Sequence, residues 1–330
     1  MRILVAGASG AIGRQLVPML VDRGHEVFGT THSDKRAVIE ASGAQALWMD
    51  GLDPDSVAAA VSAAEPEVIV HQLTALGGDL DLRDFERTFE MTSRLRTEGT
   101  DHLLSAARAV GARRFVAQSF AGWPYGQTGS WIKTEEDPLD DDPIDAARSG
   151  LAAIRHLEEA VTGAGPEIEG LVLRYGGFYG PGTSLGTEPD GAQTEMVRKR
   201  RFPIVGTGAG IWSLIHITDA ATATVAAIEG GAPGPYNVTD DEPAPVGEII
   251  PVLADAIGAK RPWRVPAWIG RLLAGELAVM MMQEARGASN AKAKRELGWQ
   301  PHFSSWRLGF REGLAKAPAV DLPERSASRL

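Results

Sequence analysis

The sequence contains no cysteine among its 330 residues. Disulfide bonds, thiol nucleophiles, cysteine-ligated zinc and iron–sulfur clusters are therefore excluded. It also lacks a run of about 18 apolar residues, so no membrane-spanning helix and no membrane partner are expected. The apolar run that ends at Gly7 is too short for the core of a signal peptide, which favours a cytoplasmic protein.

Basic residues are fewer than acidic ones: 33 lysines and arginines stand against 43 aspartates and glutamates, a formal charge of −10. A net acidic surface disfavours nucleic acid as the main partner, because phosphate binding needs a basic face. Hydrophobic residues make up 44% of the chain and charged residues 23%, which excludes a mainly disordered protein. The length predicts either two closely packed domains or one large doubly wound domain with a cap.

In the first half of the chain, short apolar runs alternate with amphipathic stretches, which is typical of βαβ units and a parallel sheet. Several strands are apolar at consecutive positions, as expected where helices cover both sheet faces. The sequence therefore predicts an α/β fold with a doubly wound parallel sheet. The predicted strands are Arg2–Ala6, Glu26–Thr30, Ala44–Met49, Glu67–His71, Arg113–Gln118 and Glu169–Arg174. The predicted helices are Ala11–Arg23, Asp53–Ala64, Asp84–Val110 and Asp145–Thr162.

After Arg174 the pattern changes, and the glycines and prolines between Tyr175 and Asp190 predict an irregular loop. We divide the chain into a domain of residues 1–174, a smaller mixed α/β region of residues 175–317 that can exchange a segment with it, and a flexible tail of residues 318–330. In the second region we expect strands at Trp212–Ile217 and Pro235–Val238, and helices at Asp219–Glu229, Val246–Ile257, Ala267–Met282, Ala291–Leu297 and Trp306–Ala315.

A glycine-rich segment, Gly7-Ala8-Ser9-Gly10-Ala11-Ile12-Gly13, directly follows the first strand and opens the first helix. In this context Gly7 allows a tight turn, Gly10 lets the backbone approach a pyrophosphate, and Gly13 permits close packing of helix on strand. The helix N-terminus adds N–H donors and partial positive charge. We expect the phosphate groups of a dinucleotide to bind at Gly7, Ser9, Gly10, Ala11, Ile12 and Gly13.

The spacing Gly-x-x-Gly-x-x-Gly resembles that of short-chain dehydrogenase/reductase enzymes, and later segments resemble their extended, epimerase/dehydratase-like branch. The resemblance spans nearly the whole chain. It implies a Rossmann-type doubly wound sheet with a smaller C-terminal substrate-binding domain and a nicotinamide dinucleotide cofactor. The segments that carry it, in family order, are Met49–Leu52, Leu171–Gly182, Trp212–Ala220, Pro235–Val238 and Glu296–Pro301.

The same resemblance implies further cofactor contacts. Asp50, with Gly51 beside it, takes the place of the aspartate that contacts the adenine ring in the family. Tyr175 follows the sixth predicted strand and is expected to shape the nicotinamide pocket. Leu73 and Thr74, which follow the fourth strand, complete the predicted cofactor-binding set.

The end of the second strand bears on the choice between NAD and NADP. Family members that prefer NAD have an acidic residue there, which binds the ribose hydroxyls. This chain has Thr31 instead, followed by His32 and Ser33. These side chains can donate hydrogen bonds to a 2′-phosphate, and Arg36 can reach it from the next helical turn. The sequence thus favours NADP, with NAD as the alternative.

The family's proton donor is the tyrosine of a Tyr-x-x-x-Lys motif, and this chain has no such motif. Ala146 and Gly150 stand where the tyrosine and lysine are expected, and Arg96 replaces the asparagine of an Asn-x-x-Gly-Thr motif. The chain therefore resembles an atypical member of the family. Its four tyrosines, Tyr125, Tyr175, Tyr179 and Tyr236, are followed four places later by Gly129, Tyr179, Thr183 and Asp240.

Two residues remain as candidates for catalysis. Ser119 ends the fifth strand and Tyr125 lies in the loop after it, in a segment that resembles a lengthened Ser-Ser-x-x-x-Tyr-Gly motif of the family. We expect Ser119 to polarise a carbonyl and Tyr125 to donate a proton; alternatively, Ser119 caps the strand and Tyr125 packs a loop. With no lysine beside it, the pKa of Tyr125 should stay near its reference value of about 10. No two histidines have metal-ligand spacing, so no metal site is expected.

Three functions remain open. The first is an NAD(P)H-dependent oxidoreductase that reduces a small carbonyl or enone, since hydride transfer needs only a substrate positioned over the nicotinamide. The second is a nucleotide-sugar epimerase or dehydratase, against which the missing tyrosine and lysine count. The third is a non-catalytic NAD(P)-binding regulator. For the first, we expect a small-molecule substrate and a monomer or homodimer.

Overall fold

The structure is a computed structural model that describes residues 1–76, 85–187 and 191–315. The predicted tail, residues 318–330, lies outside the described residues. The strands are β1 (Arg2–Ala6), β2 (Glu26–Thr31), β3 (Gln45–Trp48), β4 (Val68–His71), β5 (Arg114–Phe120), β6 (Ile132–Lys133), β7 (Glu169–Tyr175), β8 (Gly177–Tyr179), β9 (Ile204–Val205), β10 (Ile211–Trp212), β11 (Leu214–His216), β12 (Gly234–Val238), β13 (Ala244–Pro245), β14 (Arg264–Val265) and β15 (Gly287–Ala288). The helices are α1 (Ala11–Asp22), α2 (Arg36–Ala41), α3 (Pro54–Ala64), α4 (Phe85–Val110), α5 (Asp145–Thr162), α6 (Ala192–Arg198), α7 (Ile217–Glu229), α8 (Val246–Ala256), α9 (Ala267–Gln283), α10 (Ala291–Glu296) and α11 (Trp306–Glu312).

The central sheet has the strand order β12-β7-β5-β4-β1-β2-β3, and every neighbouring pair is parallel. The order reverses between β1 and β4, because β1 leads outward to β2 and β3 whereas β4 leads outward to β5 and β7. In doubly wound sheets, ligands bind at the carboxyl edge beside this reversal. The predicted fold class is confirmed, and the fold places the glycine-rich segment after β1 at this position.

Helices cover both faces of the sheet. One face packs with α1 and α7 and contributes Val116 and Leu173 to its core. The opposite face packs with α3, α4 and α5 and contributes Phe115 and Val172. Successive side chains of a strand point to opposite faces, and both faces here are covered, so the strands are apolar at consecutive positions.

The start of α3 shows how local sequence sets the end of an element. Asp53 is the N-cap, and its carboxylate accepts a hydrogen bond from the backbone N–H of Asp55 at 3.0 Å. Pro54 occupies the first helical position, where its missing N–H breaks no helical hydrogen bond. The helix therefore begins where the sequence predicts, to within one residue.

The region after β7 differs most from the prediction. The predicted loop contains β8, which pairs in parallel with β11. The predicted strand Trp212–Ile217 is divided into β10 and β11 at Ser213, because β10 pairs with β13 while β11 pairs with β8. Strands of two or three residues are too short to show a period in the sequence, so these pairings leave no local signal.

Part of the second half of the chain returns to the first. Strand β12 pairs with β7 at the sheet edge, and α7 packs on α1. Other C-terminal elements, among them β9, α8 and α11, close around a cluster that includes Val205, Ile250 and Trp306. Within the part of the chain that the structure describes, no helix is both long and apolar enough to cross a bilayer.

Candidate active site

The three glycines of the segment after β1 have different physical roles. Gly7 has a φ of +93°, and a Cβ there would lie 2.7 Å from the carbonyl oxygen of Gln72. A Cβ on Gly13 would lie 2.4 Å from the carbonyl oxygen of Ala8. Gly10 is exposed, and a Cβ there would meet only the carbonyl of Gly7, at 3.2 Å. Gly7 and Gly13 are thus required by the fold itself, whereas Gly10 borders open space.

The N-terminus of α1 is available to an anion. Gly10 is its N-cap, no side chain among the described residues caps the helix, and its first turn carries no acidic residue. The backbone N–H groups of the first turn and the positive end of the helix dipole therefore face the space beside Gly10. Ser9 and Ala11 are half-buried at the rim of this space, and Ile12 packs into the core below. These residues fit the pyrophosphate of a dinucleotide.

The residues expected around the adenosine lie along the ends of β2 and β3. Thr31 is buried, and its hydroxyl lies 3.1 Å from that of Ser33. His32 is exposed. Arg36, on α2, is 69% exposed and forms an ion pair with Glu40 at 2.8 Å. An exposed pair of this kind contributes little to stability, so Arg36 can exchange it for a ligand phosphate.

Asp50, Gly51, Leu73 and Thr74 come together at the carboxyl edge of the sheet. Asp50 is exposed, and its Oδ1 accepts a hydrogen bond from the backbone N–H of Leu52 at 2.9 Å. A Cβ on Gly51 would lie 2.6 Å from Cδ1 of Leu73, so a glycine permits this contact. Leu73 and Thr74 are half-buried beside it.

Tyr175 lies in the core at the end of β7. Its hydroxyl is 2.7 Å from that of Thr224 and accepts a hydrogen bond from Nε2 of Gln72 at 3.4 Å. Burial raises the pKa of Tyr175 to about 12. Gln72 is also the residue whose carbonyl crowds Gly7, so Tyr175 supports the glycine-rich segment from below. Its contact with the cofactor stays a prediction.

Ser119, Arg174 and Asn237 form a row across β5, β7 and β12, because they are register partners on neighbouring strands. They face α5, where Glu158 is buried. Oε1 of Glu158 accepts a hydrogen bond from the Ser119 hydroxyl at 2.6 Å, and both carboxylate oxygens accept from Arg174, at 2.9 and 2.5 Å. The Ser119 hydroxyl is therefore hydrogen-bonded to an internal carboxylate and does not point to a free space with its proton.

Tyr125 belongs to the same network. Its hydroxyl donates to Oδ1 of Asn237 at 2.7 Å and accepts from Arg174 at 2.9 Å, and the residue is fully buried. Burial raises its pKa to about 12, although the nearby Arg174 acts in the opposite direction. The expectation that the pKa stays near 10 is wrong, because it considered the missing lysine and not the desolvation of the phenol. The catalytic roles of Ser119 and Tyr125 stay predictions.

Ala146 and Gly150, which are predicted to stand in place of the family's tyrosine and lysine, lie in apolar surroundings. Ala146 packs against a cluster that contains Trp123, Met280 and, at its margin, Phe120. Gly150 is buried one turn further along α5. Within the described residues, no group of three or more His, Asp or Glu side chains could hold a metal ion.

Sequence reasoning identified Arg96 only as a departure from the family motif and missed its environment. Arg96 lies on α4 and is 6% exposed. Its Nε has no hydrogen-bond partner among the residues described. The sequence carries one signal of this environment, because Thr92, Arg96, Thr100 and Leu103 have the spacing of a single helix face. All four residues are buried in the structure.

Comparison with known proteins agrees with this geometry. Residues 3–239 match the NAD dependent epimerase/dehydratase family. The chain belongs to this family.

Relatives of this epimerase/dehydratase-family protein include reductases. It is 45% identical over 316 residues to a Streptomyces protein named 3-diazoavenalumate denitrifying reductase, covering 94% of this chain and 99% of that one. It is 28% identical to 2-alkyl-3-oxoalkanoate reductase of Stenotrophomonas maltophilia, covering 79% of this chain and 77% of the other. The crystal structure of UDP-glucose 4-epimerase from Thermotoga maritima, with UDP-glucose, superposes with a TM-score of 0.76 at 21% identity, over 95% of this chain and 97% of that one.

The predicted family and the predicted oxidoreductase class are confirmed by these findings. The likeness to the epimerase structure bears on the fold alone. The family is described as NAD dependent. Binding of the dinucleotide by the segment from Gly7 to Gly13 stays a prediction.

Proposed function

We propose that this protein is an NADP-dependent reductase of an aromatic diazo compound in its diazonium form, which replaces the N2+ group by hydrogen and releases N2. The Streptomyces relative supports the substrate class through its name. The observation that carries the proposal lies in the site: Ala146 and Gly150, at the positions of the family's proton donor and its lysine, are apolar and adjoin an apolar cluster. A reaction that needs no proton from the protein fits such a site.

Reduction of a diazonium group is a reaction of this kind. When bound, the nicotinamide supplies a hydride. The electron pair of the hydride forms the new C–H bond, while the pair of the broken C–N bond leaves with N2. The positive charge of the diazonium group cancels the negative charge of the hydride, so no proton is consumed. Reduction of a carbonyl consumes one proton for each hydride and therefore requires a donor.

The apolar cluster has a further use in this reaction. Phe89 of α4, Phe120 of β5 and Met281 of α9 pack at its margin. Water competes with hydride for a diazonium carbon, and a packed apolar wall excludes water from a reactive group. The chain's own contribution is thus to position the substrate and to exclude water from it.

The second candidate is reduction of a carbonyl or enone, the function expected from the sequence. The name of the Stenotrophomonas relative supports it. Tyr125 would be the donor, and its hydrogen bond from Arg174 holds the phenol in place. That hydroxyl now donates to Asn237, so it would have to exchange this bond for one to the substrate.

For the cofactor we propose NADP rather than NAD. The support is Thr31 in place of an acidic residue at the end of β2, together with Arg36, whose exposed ion pair with Glu40 can open. A cytoplasmic location and a monomeric or homodimeric state stay predictions.

The experiment follows proton uptake and cofactor oxidation together. The protein is mixed with NADPH and 4-carboxybenzenediazonium in weakly buffered solution with an indicator dye. We expect benzoate and N2, with no proton taken up for each NADPH oxidised. Controls without protein, and with a Gly10→Val variant, measure the uncatalysed reaction. Turnover of a ketone such as methyl acetoacetate, with one proton taken up, would favour the second candidate instead.

A further inference from the structure

Arg96 is the charged residue of the site that the proposed reaction has not used. It is 6% exposed, and its Nε lacks a partner among the described residues. Burial lowers its pKa to about 10, so the guanidinium is still charged at neutral pH. A buried cation without a matching anion costs free energy, so a protein that retains one has a use for it.

The carboxylate that acts on Arg96 is already hydrogen-bonded to other residues. Glu158 acts electrostatically on Arg96, but its oxygens accept hydrogen bonds from Arg174 and Ser119. His71, which also interacts electrostatically with Arg96, is neutral because burial lowers its pKa to about 4. Among the described residues, Glu158 is thus the carboxylate that acts on Arg96, and its hydrogen bonds are taken by Arg174 and Ser119, so the guanidinium of Arg96 has no carboxylate of its own there.

The neighbours of Arg96 on α4 fix its position. One turn after Arg96 on α4, Thr100 hydrogen-bonds the last residue of β4; one turn before it, Thr92 accepts a hydrogen bond from the backbone N–H of Ala75 at 3.0 Å. Arg96 is thus held over the carboxyl edge of β4. Long side chains on a helix lean toward its N-terminus, and a side chain that follows this rule extends from Arg96 toward Thr92. Phe89, nearly one turn before Thr92 on α4, packs at the margin of the apolar cluster.

We propose that Arg96 binds an ionised oxygen of the substrate, a phenolate or a carboxylate, beside the reacting group. This deepens the proposed function and rests on it for the identity of the reaction. Where the oxygen is conjugated with the diazo carbon, hydride addition and loss of N2 leave a negative charge on that oxygen. Arg96 stabilises this charge with a group that is already desolvated and in place.

The variants follow from the same geometry. Arg96→Met keeps most of the length of the side chain and removes the charge, so we expect an unchanged or higher melting temperature, because no internal partner of Arg96 is lost. Arg96→Lys keeps the positive charge and loses the planar guanidinium group with its paired N–H donors. Arg94→Met is the matched control, since Arg94 is on the same helix but is 46% exposed and paired with Glu98.

The test measures binding of small aromatic anions by absorbance and calorimetry, without turnover. The probes are 4-nitrophenolate, 4-nitrobenzoate and the neutral 4-nitroanisole. We expect Arg96→Met to weaken at least one of the two anions roughly 10-fold to 100-fold, and Arg96→Lys to weaken it less. Binding of 4-nitroanisole should be unchanged, and the Arg94→Met control should bind all three as the wild type does. Which anion responds identifies the phenolate or the carboxylate as the ligand.

Three results would overturn the proposal. The first is that neither anion binds the wild type at millimolar concentration. The second is that both anions bind the wild type and Arg96→Met equally well. The third is that Arg96→Met lowers the melting temperature by several degrees while Arg94→Met does not, which would make Arg96 a structural residue. Failure of diazonium reduction with intact Arg96-dependent anion binding would reject the proposed function alone, so the two proposals are tested separately.

Discussion

Ser119 and Arg174 share one carboxylate oxygen. They are register partners on β5 and β7, and both donate to Oε1 of Glu158, at 2.6 and 2.9 Å. The end of β5, where the sequence predicts chemistry, is thus joined to the neighbouring strand and to α5 by a buried ionic group. Catalysis at Ser119 would require this hydrogen bond to open.

The first prediction concerns Glu158. Glu158→Gln removes the buried partner of Arg174 and should lower the free energy of unfolding by about 3–5 kcal/mol. The measurement is urea denaturation followed by tryptophan fluorescence. Glu159→Gln is the control, because Glu159 is exposed on the same helix, and it should lie within about 0.5 kcal/mol of the wild type. Equal stability of both variants would show that the Glu158–Arg174 pair adds nothing.

The second prediction separates the glycines after β1. Gly10→Val should abolish binding of the dinucleotide and leave the fold intact, because only the ligand's space is filled. Gly13→Ala should cost about 1–3 kcal/mol of stability, since its Cβ would strike the backbone of Ala8. Calorimetry with NADPH and thermal melting measure the two effects. Unchanged NADPH affinity in Gly10→Val would contradict the site assignment.

The third prediction concerns cofactor choice. Thr31→Asp should shift preference from NADPH toward NADH, because the carboxylate repels a 2′-phosphate and accepts hydrogen bonds from ribose hydroxyls. Arg36→Met should weaken NADPH binding alone. Dissociation constants for both cofactors test this. If the NADPH affinity is the same in both variants as in the wild type, the result would argue for NAD as the natural cofactor.

The fourth prediction distinguishes the two reductions. On a ketone, Tyr125→Phe should lower turnover roughly 10²-fold if Tyr125 supplies the proton. On 4-carboxybenzenediazonium the same variant should keep its turnover, because that reaction uses no proton. Single-turnover oxidation of NADPH gives both rates. An equal loss on both substrates would instead show that the network of Tyr125, Arg174 and Asn237 positions the site as a whole.

The fifth prediction is a pH dependence of stability. Burial lowers the pKa of His71 from its ordinary 6.5 to about 4 in the folded protein. Between those two values the unfolded chain binds more protons at this residue, so the free energy of unfolding falls as the pH falls from about 6.5 to about 4. His71→Gln should reduce the slope of the free energy of unfolding against pH, by an amount that corresponds to at most one bound proton. Denaturation at several pH values measures it, with His156→Gln as control, because the His156 side chain is 42% exposed.

The fold could be predicted because its signals are local. Strand β1 and helix α5 have the predicted bounds, since apolar runs and helical periods are read within a few residues. The glycine-rich segment was recognisable because a strand and a helix flank it. Its position at the sheet reversal then follows from the topology.

The interior of the site could not be predicted, because its contacts join distant parts of the chain. Glu158 and Ser119 are 39 residues apart, and Tyr125 and Asn237 are 112 apart. Nothing in the sequence near Tyr125 shows that Arg174 lies beside it. The assumption of an ordinary phenol pKa failed because the burial of Tyr125, which raises that pKa, also depends on distant parts of the chain.

The return of β12 to the sheet has a consequence for how the protein is made. Asn237, the partner of Tyr125, is supplied by this strand, and β12 covers the outer edge of β7. During synthesis the edge of β7 therefore stays open until the ribosome has passed residue 238, when most of the chain has emerged. An open strand edge is a template for pairing with other chains. A fragment that ends at residue 174 should accordingly aggregate.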